Sequence, residues 1–327
     1  MHATFRLEAW PLRQPFTTSR ETTVELAVLY CELRRGGCIG RSEAAGVDYR
    51  GETPASMKRF LEERVSTGTL PWDRMTLLER MPAGGARNAI DCALWDLEAR
   101  EKGRRVWELA GVNALRALRT TFTIGLKEPK RMASDVALAP PGAVLKLKLG
   151  ARDGRDLDRV SAVRRAAPEA EVVVDVNEGW SLEELNDAAG ALQRLGVRLI
   201  EQPLPVKHDA ALDGYTGSIP LCADESFSDH SSFGKLHPRY TCINIKLDKC
   251  GGLTEALCCA TTARTRGLEL FAGNMLGTSL AMAPAFIVAQ QCHWVDLDGP
   301  LLLSRDRDPA FTFAGPMMQP FGADLWG

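Results

Sequence analysis

Charged side chains stand inside runs of this chain that otherwise read as buried strands. In order they are Lys146 and Lys148 in VLKLKLG, Asp175 in VVVDVN, Glu201 in RLIEQP, Asp224 in LCADES, Lys246 in INIKLD, and Asp296 with Asp298 in WVDLDG. An unpaired charge in an apolar setting is costly. A chain that repeats the arrangement on run after run is assembling one site from many strands. Asp175, Glu201 and Asp224 bring together three carboxylates with no thiolate or imidazole among them. That donor set suits a hard cation, Mg²⁺ first, with one ion expected per chain. One such acid alone would more simply cap or salt-bridge. Three at matched positions cannot all stay ionised at close range without a cation.

Lys146 and Lys148 are two residues apart on one run, so both side chains point to one face. Lys246 lies four runs further on. Mutual repulsion and a nearby metal are expected to lower a lysine toward neutrality, which makes it a competent base. Two lysines facing each other over a metal-bound substrate form a two-base arrangement. One removes a proton from a carbon and the other delivers a proton to the opposite face.

The elements that must position these groups follow from periodicity. FRLEAWPL, TTVELAVLYCELRRGG and CIGRSEAA alternate apolar and polar residues, as an antiparallel meander does. TPASMKRFLEERV and ARNAIDCALWDLEAREKG then read as helices, the second ended by Gly103. This makes an α+β unit. From Arg119 onward apolar runs alternate with helical segments, eight runs in all, with helices expected between them. Near-continuous apolar runs mark strands covered on both faces. Eight such units fit an α/β fold of the (β/α)8 type, in which catalytic groups gather at the C-terminal strand ends. An open doubly wound sheet is the second choice. No Gly-x-Gly-x-x-Gly joins a strand to a helix, so nucleotide binding has no support.

A formal net charge of −2 and the lack of a long apolar stretch give no reason to expect a nucleic-acid or membrane partner. The nine cysteines include no C-x-x-C pair. Cys222, Cys242, Cys258 and Cys292 sit in apolar runs and are expected to be buried and reduced, which fits the cytoplasm.

Taken together, K-L-K at 146–148, D-V-N at 175–177, E-Q-P at 201–203, A-D-E-S at 223–226 and N-I-K-L-D-K-C-G-G at 244–252 resemble the enolase superfamily, muconate lactonizing enzyme subgroup. ARNAIDCALWDLEAR is similar to the helix that closes that family's capping domain. The resemblance implies a (β/α)7β TIM-like barrel under an N-terminal α+β capping domain. The expected division is a cap at 1–118, with a tail at 305–327 packing back on it, and a barrel at 119–304. It implies Mg²⁺ on Asp175, Glu201 and Asp224, Lys148 and Lys246 as the acid/base pair, and Lys146 as a stabiliser of the enediolate. Asn177 and Glu225, beside the ligands, are expected to support them.

Asp296 and Asp298 are not needed for the metal, and a cationic substrate group is their best physical use. The pair looks like the Asp-x-Asp of dipeptide epimerases, which holds the substrate ammonium. A dipeptide is therefore the expected partner, epimerised at its C-terminal residue, with L-Ala-D/L-Glu the natural choice. The alternatives are an N-succinylamino acid racemase, an o-succinylbenzoate synthase, a muconate cycloisomerase or, more remotely, a non-catalytic barrel. The lid is expected in PFTTSRET, where Arg20 is a candidate for a substrate carboxylate. Thr121 and Thr123 are candidate pocket residues. Gly277 stands where many subgroup relatives carry a glutamate. Self-association into a homo-oligomer is left open by the sequence.

Overall fold

The computed structural model describes residues 1–327. Strands β1 (His2–Thr17), β2 (Thr22–Arg35) and β3 (Cys38–Ala44) form an antiparallel sheet in chain order. The turn between β1 and β2 is only Thr18–Glu21, closed by the Thr18 N–H on the Glu21 carbonyl at 2.9 Å. Half of the expected PFTTSRET loop is therefore strand, and a long hairpin carries Arg20 at its tip. Helix α1 (Pro54–Ser66) starts where the Thr-Pro signal places it. Thr53 and Ser56 form a reciprocal capping box, with Pro54 in the first turn. Helix α2 (Arg74–Arg80) leads to α3 (Gly85–Lys102), which Gly103 ends in the left-handed region at φ 59°. Helix α3 is buried along almost its whole length between the three-stranded sheet and two barrel helices, Leu247–Cys250 and Leu253–Thr265.

That second sheet has eight parallel strands in chain order: β4 (Thr121–Ile124), β5 (Val144–Lys148), β6 (Val172–Asp175), β7 (Val197–Glu201), β8 (Leu221–Ala223), β9 (Tyr240–Ile245), β10 (Glu269–Ala272) and β11 (Trp294–Val295). α-Helices fill five of the seven crossovers. The β7–β8 and β8–β9 connections instead carry 3-10 segments at Val206–Gly214 and His230–Gly234. The full connections, residues 202–220 and 224–239, are interrupted by Pro, Gly and Ser and are poor in apolar residues at helical spacing, which keeps them from a full helix.

No backbone-to-backbone hydrogen bond joins β4 to β11. Side chains close the seam instead. Thr120 Oγ1 receives the Leu297 N–H at 2.9 Å, Thr121 Oγ1 donates to Asp296 Oδ1 at 2.7 Å, and Asp298 Oδ2 accepts the Thr123 N–H at 2.6 Å. The last strand is thus shorter than WVDLDG suggested: Asp296 and Asp298 follow its end, and Asp298 precedes a short helix at Gly299–Leu302.

Towards the C-terminus, Phe313–Ala314 and Met317–Met318 pair with Leu118–Arg119. Trp326 is fully buried and donates its Nε1 to the Arg41 carbonyl at 2.9 Å. All nine cysteines are free. Two depart from the expected burial. Cys258 is exposed and Cys292 is half-buried, because Cys258 lies on the outward face of its helix beside the buried Cys259. No helix is long and apolar enough to cross a membrane.

Candidate active site

Strand periodicity builds the site. Val144, Val173, Leu199, Cys222, Cys242, Phe271 and Trp294 meet as one apolar cluster of inward-facing side chains, one from each of seven strands. Two residues further along each strand, on the same face, stand Lys146, Asp175, Glu201, Asp224, Asn244, Gly273 and Asp296. Two further again stand Lys148, Asn177, Lys246 and Asp298. An apolar plug thus carries a layer of charge at the C-terminal mouth, as the barrel reading required.

The three carboxylates converge. One oxygen from each of Asp175, Glu201 and Asp224 lies within 4.8 Å of the others, and all three residues are buried. Glu201 Oε2 has no hydrogen-bond partner; Lys146 Nζ is 2.8 Å away but not aligned to donate. A buried carboxylate oxygen without a donor fits a cation site. An all-oxygen donor set fits Mg²⁺.

The lysines arrange themselves around these acids. Lys148 Nζ donates to Asp175 Oδ2 at 2.6 Å and Asn177 Oδ1 at 3.0 Å. Lys246 Nζ donates to Asp224 Oδ2 at 2.7 Å. Lys146, 1% exposed, sits 2.8 Å from both Glu201 and Asp296 and 3.2 Å from Asp175, with the Phe271 ring 5.1 Å away. The protein groups by themselves do not lower Lys146 or Lys246. Burial alone would lower each. Around Lys146, Asp296, Glu201 and Asp175 outweigh it; around Lys246, Asp224 and Glu201 do. Both ammoniums are held above the usual range. Repulsion between lysines is real but smaller than the pull of four carboxylates. Glu201 shows the converse: burial, with Asp175 beside it, pushes it up to about 7.

Asp296 and Asp298 lie at the mouth, but they are not equivalent. Burial would raise Asp296, yet Lys146 and Thr121 hold it below the usual carboxylate range. Asp298 is pushed up to about 7 by burial and by Asp296, against the Thr123 N–H. Asp296 is therefore already committed to Lys146 and Thr121, and Asp298 is the one left short of cationic partners. Thr121 and Thr123 fasten these acids, and Thr123 also lines the cleft.

The cleft has a volume of about 470 Å³ and is roofed by the hairpin and by the loop after β3. Arg20 reaches it, carrying Glu178 at 2.8 Å and Glu225 at 2.5 Å, with its guanidinium 4.8 Å from the centre of the Tyr49 ring. Asn177 Nδ2 also donates to Glu225, at 3.3 Å. Gly277 faces no open space: a Cβ there would lie 2.6 Å from the Ala281 Cβ, so the chain has no room for a side chain at that turn.

Four functional neighbours escaped the sequence reading. Lys249, fully buried, donates to Asp224 Oδ1 at 2.5 Å and to the Asn244 carbonyl at 3.1 Å. Asn244 Nδ2 donates to Glu201 Oε1 at 2.8 Å. The Tyr49 hydroxyl is buried at the cleft without a partner. Asp248 accepts the Gly46 N–H at 3.0 Å where the loop after β3 meets the barrel, and burial with Glu52 nearby pushes it up to about 7. The Asn244 signal was available, since N-x-K puts both residues on one face of a strand. Lys249 was not legible as a strand residue, because the chain turns into a short helix at Leu247–Cys250 that folds it back under Asp224.

Comparison with known proteins gives a consistent picture. Residues 1–111 match the mandelate racemase / muconate lactonizing enzyme N-terminal domain, and residues 135–316 match the enolase C-terminal domain-like family. The chain is 39% identical over 306 residues to an L-Ala-D/L-Glu epimerase of Escherichia coli (strain K12), covering 94% of this chain and 95% of that one. It is 43% identical over 251 residues to an N-acetyl-D-glutamate racemase of Pseudoalteromonas sp, covering 77% and 79%. Among solved structures it superposes on an enolase family member from Agrobacterium tumefaciens with homology to dipeptide epimerases, crystallised with sodium and L-Ala-L-Glu. The TM-score is 0.94 at 40% identity, covering 99% of each chain.

Proposed function

We propose that this chain, which belongs to the enolase superfamily, is a Mg²⁺-dependent dipeptide epimerase. It inverts the α-carbon of the C-terminal residue, with L-Ala-D/L-Glu the favoured substrate. On this reading residues 1–118 and the tail at 305–327 form the cap over a barrel at 119–304. The nine unpaired thiols fit a cytoplasmic enzyme. The observation that carries the proposal is the pairing of Lys148 and Lys246 with different carboxylates of one buried triad.

Asp175, Glu201 and Asp224 would hold the cation, which supplies positive charge against the substrate carboxylate and draws off charge that otherwise keeps the lysines protonated. The remaining work falls to side chains of this chain. Lys148 Nζ, oriented by Asn177, takes or returns the α-proton on one face. Lys246 Nζ does the same on the other, so the pair must act with one amine neutral and one charged. Lys146, boxed in by three acids, keeps its proton and sets a fixed ammonium beside the developing enediolate. Asp298 receives the substrate ammonium, a charge that satisfies the acid the fold leaves unpaired. Arg20 faces the side-chain carboxylate of a C-terminal Glu.

Incubation of the protein with Mg²⁺ and L-Ala-L-Glu in D₂O tests this: deuterium should enter the Glu α-carbon as L-Ala-D-Glu accumulates. Absence of exchange across a broad dipeptide panel overturns it. The likeness to an N-acetyl-D-glutamate racemase favours one second reading, racemisation of an N-acylated glutamate. That substrate has no ammonium, so its turnover should survive Asp298→Asn whereas dipeptide turnover should not.

A further inference from the structure

The three acids of the triad share a pattern. In each, one oxygen is tied to a group of the framework and the other faces the catalytic lysines. Asp175 Oδ1 accepts the Asn177 N–H at 3.1 Å while Oδ2 faces Lys148. Glu201 Oε1 accepts Asn244 Nδ2 at 2.8 Å while Oε2 has no donor aligned to it. Asp224 Oδ1 accepts Lys249 Nζ at 2.5 Å while Oδ2 faces Lys246.

Asn244 and Lys249 have no contact with the cleft, and neither is an ordinary core residue. Asn244 is fully buried, and its own Oδ1 has no hydrogen-bond partner. A leucine of similar shape would leave no orphan acceptor, so the amide is retained for its Nδ2–H. The neighbouring backbone is shaped to fit it: a Cβ at Gly273 would lie 2.3 Å from Asn244 Oδ1. Lys249 is a fully buried ammonium whose hydrogen bonds go to both the side chain and the carbonyl of Asp224 and to the carbonyl of Asn244.

We infer that Asn244 and Lys249 are positioning residues that lock Glu201 and Asp224 into one-oxygen coordination and thereby select Mg²⁺ over larger cations. The inference rests on the metal reading above. Mg²⁺ demands near-octahedral geometry, whereas Ca²⁺ readily takes two oxygens from one carboxylate and a higher ligand number. Three carboxylates, each with one oxygen tied back, offer three ligand atoms and leave the rest of the shell to water and substrate. A larger ion gains nothing from the tied oxygens, so its advantage is withheld. Freeing either carboxylate should return that advantage, because partners behind metal ligands commonly change affinity 10–100-fold.

The experiment uses the full chain without substrate. Calorimetric titration gives Mg²⁺ and Ca²⁺ affinities for the wild type, Lys249→Met and Asn244→Leu, with circular dichroism to confirm folding. The ratio of affinities, not either value alone, is the readout, since loss of the Lys249 charge strengthens every cation. In each variant the ratio should move toward Ca²⁺ by about tenfold. Tb³⁺ luminescence lifetimes in H₂O and D₂O then count bound waters. The wild type should keep about six, as three single-oxygen ligands allow for a large ion, and each variant about one fewer.

Unchanged ratios in both folded variants overturn the inference, and so does a wild-type Tb³⁺ site holding only two or three waters. The water count needs no variant to fold. A wild type that binds no Mg²⁺ would instead overturn the metal reading itself.

Discussion

The two faces of the barrel strands obey different rules. Outward, Leu145, Leu147, Val174, Ile200, Ile243 and Ile245 pack under the helices as part of one large apolar core. Inward, most strands change chemistry within a single step of two residues. Val173 is followed by Asp175, Leu199 by Glu201, Cys222 by Asp224 and Trp294 by Asp296. The outer face asks only for volume and shape, which many aliphatic residues supply. The inner face asks for a sharp boundary between a dry plug and a charged layer. The plug removes water from beneath the charges and strengthens every interaction among them. It also makes each charge dependent on its neighbours, because none has water to fall back on from below.

The largest break in this contrast should come from the charged layer. Lys148→Ala and Lys246→Ala should each lower epimerisation roughly 10²–10⁴-fold or more, measured as α-proton exchange into D₂O, with the fold retained. Full activity in either variant removes the two-base mechanism. One layer down, Phe271→Ala should cost about 3–5 kcal/mol in a urea melt, through the cavity it leaves and the lost support under Lys146. On the outer face, Ile245→Val should cost only about 0.5–1.5 kcal/mol and leave turnover unchanged. If the two core substitutions cost the same, the distinction between faces has no energetic content.

A finer test lies where the cap loop meets the barrel. Burial, with Glu52 nearby, pushes Asp248 up from an ordinary 3.8 to about 7. The native state therefore holds a proton that the unfolded chain has released between these values. The stability this group contributes is full below about pH 4 and is lost as pH rises to about 7. Asp248→Asn, which removes that titration, should lessen the slope of the melting temperature across this window, leaving the share of Glu201 and Asp298, which are also pushed up to about 7. A wild-type slope that persists unchanged in the variant assigns it to other groups.

Much of this was legible in the sequence, for a physical reason. A parallel strand buried on both faces has a narrow vocabulary, so a charge inside one stands out, and a period of two fixes which charges share a face. That logic located the triad, the three lysines and the barrel together. It failed where the chain leaves the strand. Lys249 acts through a helical turn, and the last two acids follow β11 rather than lie in it. Nor did it show how strongly the acids act on the lysines, because that depends on how many carboxylates converge in space. Arg20 lines the cleft, yet nothing in PFTTSRET foretold that Glu178 and Glu225 would already occupy its guanidinium.

The seam between β4 and β11 has a mechanical meaning. A ring of strands whose final joint is made of Thr120, Thr121, Thr123 and two carboxylates is a clasp rather than a weld. One of the carboxylates that fasten it, Asp298, is the one proposed to grip the substrate amine. Ligand occupancy and ring closure thus draw on one shared group. A filled cleft should tighten the clasp, and the amide protons of Thr123 and Leu297 would report it by exchanging more slowly when substrate is bound.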